Sequence, residues 1–223
     1  MRAAIFDLDG TLADTSADLI AAANHALAEA GFGGPLEPEA DRALAFAGGR
    51  AMLREGLLRA TGGTDAALVE AAYPRLLGHY GEHIDVHTRI YDGVPAALDR
   101  LAAAGWALGV CTNKPADLAE RLLTRLGLRT RFAAMLGADS LPVRKPDPEH
   151  LLETIARAGG VRERAVLIGD TVTDRETARA AGVPCVLVRF GPDGAGVAAL
   201  APEALLEHYD DLEALLEGLV PAA

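Results

Sequence analysis

Cysteine is scarce in this chain: only Cys111 and Cys185 occur among its 223 residues. Both lie in apolar, strand-like segments, so we expect two reduced thiols in the core. Nothing beside Cys111 in the sequence offers the base that a cysteine nucleophile needs. The pattern therefore argues against a disulfide framework, a cysteine metal site and a cysteine hydrolase.

Long hydrophobic runs are also missing. No segment approaches the ~18 apolar residues of a membrane span, and the first residues lack the basic-then-apolar layout of a secretory signal. With 50% hydrophobic and 24% charged residues, the composition is that of a globular protein that can bury a sizeable core. We expect a cytoplasmic protein without a membrane partner.

Positive charge is in the minority, and the formal net charge is -11 at pH 7. Nucleic acid is disfavoured as a partner, because its phosphate backbone would be repelled. Of the 21 basic residues only Lys114 and Lys145 are lysine, and the rest are arginine. A compact ammonium group contacts phosphate as a point charge, unlike a planar guanidinium. Both lysines are therefore candidate phosphate ligands, although chance, or helix capping by Lys114, would also explain them.

Two carboxylates follow the first apolar run of the chain. The segment 3–6 leads into Asp7 and Asp9, and Gly10-Thr11 then turns the chain, which is the pattern of a strand that delivers acidic side chains to a sheet edge. Open α/β sheets bind their ligands at such edges. An isolated Asp-Gly pair is more often a solvated turn, so the rest of the chain has to supply partners.

Three further loops after predicted strands carry polar groups. Thr112 and Asn113 follow one run, Lys145 lies in a proline-rich loop before a helix, and Asp170 ends a third run with Asp174 four residues later. Hydroxyl, amide and ammonium groups bind oxyanions, whereas carboxylates bind hard cations. We expect these groups to meet in one cleft.

The remaining pattern alternates strands with helices, which predicts an α/β fold with a doubly wound parallel sheet of the Rossmann-like kind. Strands are predicted at 3–8, 106–112, 134–138, 165–170 and 184–189. Helices are predicted near 95–104, 116–126, 148–158, 174–181 and 212–219.

Residues 14–85 have a different character, with helical patterns and no strands. Ser16 can cap a helix that ends at Gly31, and further helices are predicted at about 38–46, 50–60 and 65–80. We therefore expect an inserted α-helical cap domain at 14–85 and a catalytic core formed by 1–13 with 86–223.

These four strand-end loops, in this order, resemble those of the haloacid dehalogenase (HAD) superfamily, and the loops around Asn113 and Lys145 look like its phosphoglycolate phosphatase branch. The resemblance implies that Asp7 attacks phosphorus to form an aspartyl phosphate and that Asp9 moves protons. It further implies Mg²⁺ as the cofactor, bound by Asp7, Asp9, Asp170 and Asp174, with Asp174 either a direct ligand or an orienter of a bound water. Thr112, Asn113 and Lys145 would hold the phosphoryl oxygens.

Substrate choice is expected to depend on the cap. Gly48-Gly49-Arg50 lies at a predicted helix start, where amides and a guanidinium could bind a small carboxylate such as that of phosphoglycolate, although a flexible turn with a solvated Arg50 is an equal alternative. Lys114 is a second candidate for contact with the substrate. The hypothesis is thus a phosphatase for a small phosphate monoester, first of all 2-phosphoglycolate. Another small phosphate ester, a sugar phosphomutase and a catalytically silent binding protein remain as alternatives, and Asp9 argues against a dehalogenase.

Four histidines lie in or beside the predicted cap. Their spacing lacks the acidic helper of a zinc-binding helix, so we predict no zinc site among them. They are His25, His79, His83 and His87.

Overall fold

The computed structural model describes residues 1–192 and 194–222. The described chain divides into two compact units, one formed by residues 1–13 and 90–223 and the other by residues 14–89. The second unit ends four residues later than the cap that we expected at 14–85. The roles of these units as catalytic core and cap stay predictions.

Strands and helices alternate along the first unit, whereas the second unit consists mainly of helices. The strands are β1 (Ala3–Phe6), β2 (Ala13–Asp14), β3 (Arg89–Ile90), β4 (Ala107–Cys111), β5 (Ala134–Leu136), β6 (Ala165–Gly169), β7 (Cys185–Val188) and β8 (Ala204–Leu206). The α-helices are α1 (Ser16–Glu29), α2 (Arg42–Phe46), α3 (Gly49–Thr61), α4 (Ala66–Glu82), α5 (Val94–Ala103), α6 (Ala116–Arg125), α7 (Pro148–Arg157), α8 (Val172–Ala181) and α9 (Leu212–Leu219).

A six-stranded sheet in the order β5-β4-β1-β6-β7-β8 forms the centre of the first unit. Every neighbouring pair is parallel, and Ile5 of β1 is in register with Gly109 of β4 and Leu167 of β6. The residues of β1, β4, β6 and β7 are all buried, as expected for strands covered on both faces. The predicted fold class, a doubly wound parallel sheet, is confirmed.

All five predicted strands are present, but three short strands were missed. β2 and β3 have two residues each and pair with one another, and β8 has three residues at the edge of the large sheet. Such short segments contain too few residues to show an alternating pattern.

The helices agree with the prediction to within a few residues, with two corrections in the second unit. Ser16 does not cap α1: Thr15 is the N-cap residue, and the Ser16 hydroxyl donates to Oδ1 of Asp14 at 2.6 Å. α2 begins at Arg42 and not near 38, because the Asp41 carboxylate accepts the amide of Glu37 at 2.8 Å and holds that segment in a turn. Within the second unit, α1 packs against α3 and α4.

Among the described residues, no helix is both long enough and apolar enough to cross a membrane.

Candidate active site

Carboxylates meet at the carboxyl edge of the sheet. Asp7 follows β1 and Asp170 follows β6, and these strands are parallel neighbours, so their ends lie at the same edge. Asp174 joins them from the first turn of α8. Carboxylate oxygens of all three residues lie within 4.8 Å of one another. The grouping that the sequence predicted for these three aspartates is therefore present.

Asp170 is fully buried and only partly satisfied. Its Oδ1 accepts the Thr11 hydroxyl at 2.9 Å, whereas its Oδ2 has no hydrogen-bond partner among the described residues. Burial, and then the charges of Asp174 and Asp7, raise the pKa of this carboxyl well above its usual range. An orphaned buried carboxylate oxygen is costly unless a cation takes the place of the missing partner.

Asp7 is held in a similar environment. Burial raises its pKa to about 6, although the neighbouring Lys145 opposes the shift. The Lys145 Nζ lies 3.1 Å from Oδ1 of Asp7, and the backbone amide of Asp7 donates to the carbonyl of Ile168 at 2.9 Å. The carboxylate is thus fixed on the sheet edge beside one buried cation.

Asp174 uses both of its carboxylate oxygens within the protein. Oδ1 accepts from Lys145 Nζ at 2.6 Å, and Oδ2 accepts the amide and hydroxyl of Thr171 at 3.1 and 2.8 Å and the amide of Asp170 at 3.2 Å. A Cβ on Gly169 would lie only 2.4 Å from Cγ of Asp174. The missing side chain at residue 169 therefore lets α8 start against β6, with Asp174 under the sheet edge.

Both lysines of the chain lie in this cluster. Lys145 is 3% exposed and its ammonium lies between Asp174 and Asp7. Burial alone would lower its pKa, but the Asp174 and Asp7 carboxylates outweigh burial and the pKa is raised. Lys114 is also buried, and its Nζ donates to both carboxylate oxygens of Asp9 at 2.8 and 3.0 Å. Each lysine ammonium therefore lies in direct contact with at least one aspartate carboxylate.

Thr112 and Asn113 lie on the loop after β4, beside the carboxylates. Thr112 is buried, and its hydroxyl accepts the amide of Lys114 at 3.2 Å. The side-chain amide of Asn113 donates to the carbonyl of Lys145 at 3.0 Å. The loops that carry Thr112 and Lys145 are therefore tied to each other directly.

Arg50 lies in the second unit, at the start of α3 as expected. Its guanidinium donates to both oxygens of the Glu70 carboxylate at 2.7 and 2.9 Å and lies 3.7 Å over the ring of Tyr73. In this structure the guanidinium is thus bound to Glu70, and its expected role in carboxylate binding stays a prediction.

Two contributors to the cluster were missed from the sequence. Thr11, whose hydroxyl binds Asp170, could have been found from its place directly after Asp9-Gly10. Tyr209 is buried and its hydroxyl donates to the carbonyl of Thr11 at 2.8 Å. No local signal links Tyr209 to a turn so distant in sequence.

The donor set fits a hard divalent cation. Asp7 and Asp170 offer carboxylate oxygens at one edge, and one Asp170 oxygen lacks a partner among the described residues. All-oxygen ligands of this kind suit Mg²⁺ better than the nitrogen and sulfur ligands that zinc favours.

Comparison with known proteins decides the family. A family model described as haloacid dehalogenase-like hydrolase matches residues 4–188. The chain belongs to the haloacid dehalogenase-like hydrolases. The family resemblance derived from the four strand-end loops is therefore confirmed.

Relatives of this hydrolase match over nearly its whole length. A phosphoglycolate phosphatase of Mesorhizobium japonicum is 40% identical, and the match covers 98% of this chain and 96% of the relative. A phosphoglycolate phosphatase of Agrobacterium fabrum is 39% identical, and the match covers 97% of this chain and 93% of the relative. Among solved structures, one named a predicted phosphoglycolate phosphatase, from Haemophilus somnus, has a TM-score of 0.85 at 24% identity, covering 96% of this chain and 97% of that one. At that identity the structural likeness shows the shared fold.

Proposed function

We propose that this haloacid dehalogenase-like hydrolase is a phosphatase for a small phosphate monoester, with 2-phosphoglycolate as the first candidate substrate. The observation that carries the proposal is the juxtaposition of Asp7 with Lys145 and Asp170 at the sheet edge. This edge offers a carboxylate nucleophile beside positive charge, which is what attack on a dianionic phosphoryl group requires. The names of the similar relatives support the choice of phosphoglycolate.

The reaction follows from the roles of Asp7 and Asp9. An oxygen of Asp7 attacks phosphorus in line with the leaving oxygen, forming an aspartyl phosphate as the phosphorus–ester oxygen bond breaks. Asp9 gives its proton to the departing alkoxide and then takes a proton from the water that hydrolyses the intermediate, so that Asp7 and inorganic phosphate are released. The Lys114 ammonium, within 2.8 Å of Asp9, would orient this carboxyl toward the leaving group.

The phosphoryl oxygens need positive charge and hydrogen-bond donors. Lys145, the Thr112 hydroxyl and the backbone amide of Asn113 would hold them as charge shifts in the transition state. Mg²⁺, when bound by Asp7, the backbone carbonyl of Asp9 and Asp170, would neutralise further negative charge there.

Asp174 would position this site rather than bind the cation directly. Both of its oxygens already accept hydrogen bonds, from Lys145 on one side and from the start of α8 on the other. It would orient a metal-bound water and hold Lys145 in place, as residues that hydrogen-bond to metal ligands commonly do.

The proposal is tested by phosphate release from a metabolite panel that includes 2-phosphoglycolate, sugar phosphates and p-nitrophenyl phosphate. The wild type and Asp7→Asn are compared with and without Mg²⁺, and Glu163→Gln, a change in an exposed ion pair with Arg162, serves as the control. We expect magnesium-dependent turnover that the Asp7 variant loses by more than ~1000-fold and the control keeps.

Other outcomes identify the alternatives. Conversion of a sugar phosphate into its isomer without net phosphate release would identify a phosphomutase. Folded protein that neither releases nor moves phosphate would contradict an enzymatic role and favour a binding protein.

A further inference from the structure

A buried histidine lies behind the site and takes no part in the proposed chemistry. His150, in the first turn of α7, has no exposed surface. Its Nε2 lies 3.0 Å from the carbonyl oxygen of Gly137, and its Nδ1 lies 3.4 Å from Sγ of Cys111. Both ring nitrogens are therefore used within the protein.

The two contacts join three segments that end at the carboxyl edge. Cys111 is the last residue of β4 and directly precedes Thr112, while Gly137 directly follows β5. His150 itself lies five residues after Lys145, at the end of the loop that runs from Gly137 to α7. The imidazole thus bridges the base of the Lys145 loop and the strand end that carries Thr112.

The hydrogen bonds fix the tautomer and charge of the pair. A carbonyl oxygen only accepts, so Nε2 carries the proton, and Nδ1 is then the acceptor for the Cys111 thiol. Burial lowers the pKa of His150, and the charge of Lys145 lowers it further. Burial raises the pKa of Cys111 to about 12. The pair is neutral and closed to solvent, which rules it out as a nucleophile with its base.

The Lys145 loop depends on contacts of this kind to keep its position. Lys145 must reach Asp174 at 2.6 Å and Asp7 at 3.1 Å, yet residues 138–147 around it form turns and bends and no helix or strand. Its other ties include the Asn113 side chain on the Lys145 carbonyl and the Asp139 carboxylate on the amide of Ala116. His150 is the tie at which the loop enters α7.

We propose that His150 is a positioning residue, which sets Lys145 against Thr112 by bridging the Gly137 carbonyl and the Cys111 thiol. This inference rests on the proposed phosphatase function, in which Lys145 and Thr112 hold the transferring phosphoryl group. Displacement of a positioned group by about 1 Å lowers a rate by up to ~100-fold. The bridge therefore acts on turnover more than on substrate capture.

Three substitutions separate the two arms of the bridge. His150→Gln places an amide donor near the position of Nε2 and keeps the bond to Gly137. His150→Asn places an amide oxygen near the position of Nδ1 and keeps the acceptor for Cys111. His150→Leu fills the space and keeps neither. Each variant is first checked by circular dichroism and thermal unfolding, and kinetics are measured well below its unfolding transition.

We expect His150→Leu to lower kcat by about 10- to 100-fold with less than a threefold change in KM. His150→Gln should regain most of that loss, because the bond to Gly137 holds the Lys145 loop, and His150→Asn should regain less. In the wild type, nitrogen-15 NMR of the imidazole should show the neutral Nε2-protonated form between pH 6 and 9. An unchanged kcat in His150→Leu, or equal losses in all three variants, would overturn the proposal.

A second readout separates this inference from the proposed function. If the wild type hydrolyses no ester in the panel, the phosphatase proposal fails, and the bridge is then tested by titration calorimetry with orthovanadate, which can adopt the five-coordinate geometry of the transferring phosphoryl group. Weaker vanadate binding in His150→Leu that His150→Gln restores supports the positioning role. Equal vanadate affinity in the wild type and His150→Leu contradicts it.

Discussion

Replacement of Lys145 by methionine removes the buried ammonium that lies between Asp7 and Asp174. Methionine has a similar length and no charge, so packing changes little while the two carboxylates lose their partner. Breaking a buried ion pair by removing one member costs about 3–5 kcal/mol. We expect the metal-free Lys145→Met protein to lose about 3 kcal/mol of unfolding free energy at pH 8.

The loss should depend on pH in a defined direction. The pKa of Asp7 in the folded protein is raised to about 6 from an ordinary value of 3.8, and that of Asp170 is raised as well. A carboxyl with a raised pKa holds its proton more tightly in the folded state, so its contribution to stability is present at low pH and is lost as pH rises from about 4 through 6. At pH 5 Asp7 is largely neutral, and removal of Lys145 should then cost less than at pH 8.

The assay is urea unfolding of the wild type and Lys145→Met in EDTA at pH 5 and pH 8. Arg157→Met is the matched control, because its i,i+4 pair with Glu153 is exposed and should contribute only about 0.3–0.5 kcal/mol at either pH. A Lys145→Met loss that is equal at the two pH values, or larger at pH 5, would refute the electrostatic account of the cluster.

Two further predictions concern the second unit. Arg50→Ala should raise the KM for 2-phosphoglycolate about tenfold, as expected for one lost charge-assisted contact. The KM for p-nitrophenyl phosphate should stay unchanged. Steady-state kinetics in which both KM values rise alike, or in which Arg75→Ala has the same effect, would count against a role of Arg50 in carboxylate binding. His79 stacks between His25 and His83 at ring-centroid distances of 4.0 and 4.3 Å, and burial followed by the neighbouring imidazoles lowers its pKa. The folded protein should therefore lose stability as pH falls below the unfolded value of about 6.5. His79→Gln should reduce the dependence of the thermal unfolding midpoint on pH between pH 7 and 5. An unaltered pH dependence would contradict the prediction.

Much of the first unit was predictable from local pattern. Buried parallel strands are continuous apolar runs, and β1, β4, β6 and β7 each have one that ends in a polar residue or at a turn. Glycine and proline bounded the helices correctly at α5 and α7 because those residues act on their own backbone conformation. β2, β3 and β8 were not predicted, because their pairing depends on neighbours distant in sequence.

The chain order of Asp7, Thr112, Lys145 and Asp170 sufficed to predict one common edge, since parallel strands bring their carboxyl ends together. The composition singled out both lysines, because they are the exceptions in a chain that otherwise uses arginine. In the structure Lys114 pairs with Asp9 and Lys145 pairs with Asp7.

The partners of individual atoms were decided only by the tertiary structure. Sequence spacing left open whether Asp174 faces a cation or the protein, and its two oxygens are engaged by Lys145 and by the start of α8. Residue types likewise gave no sign that His150 would meet Cys111, since no base lies beside that cysteine along the chain. Local pattern determines which strand ends carry chemistry, because it acts over a few residues, whereas hydrogen-bond partners and pKa values depend on burial and on groups brought together by folding.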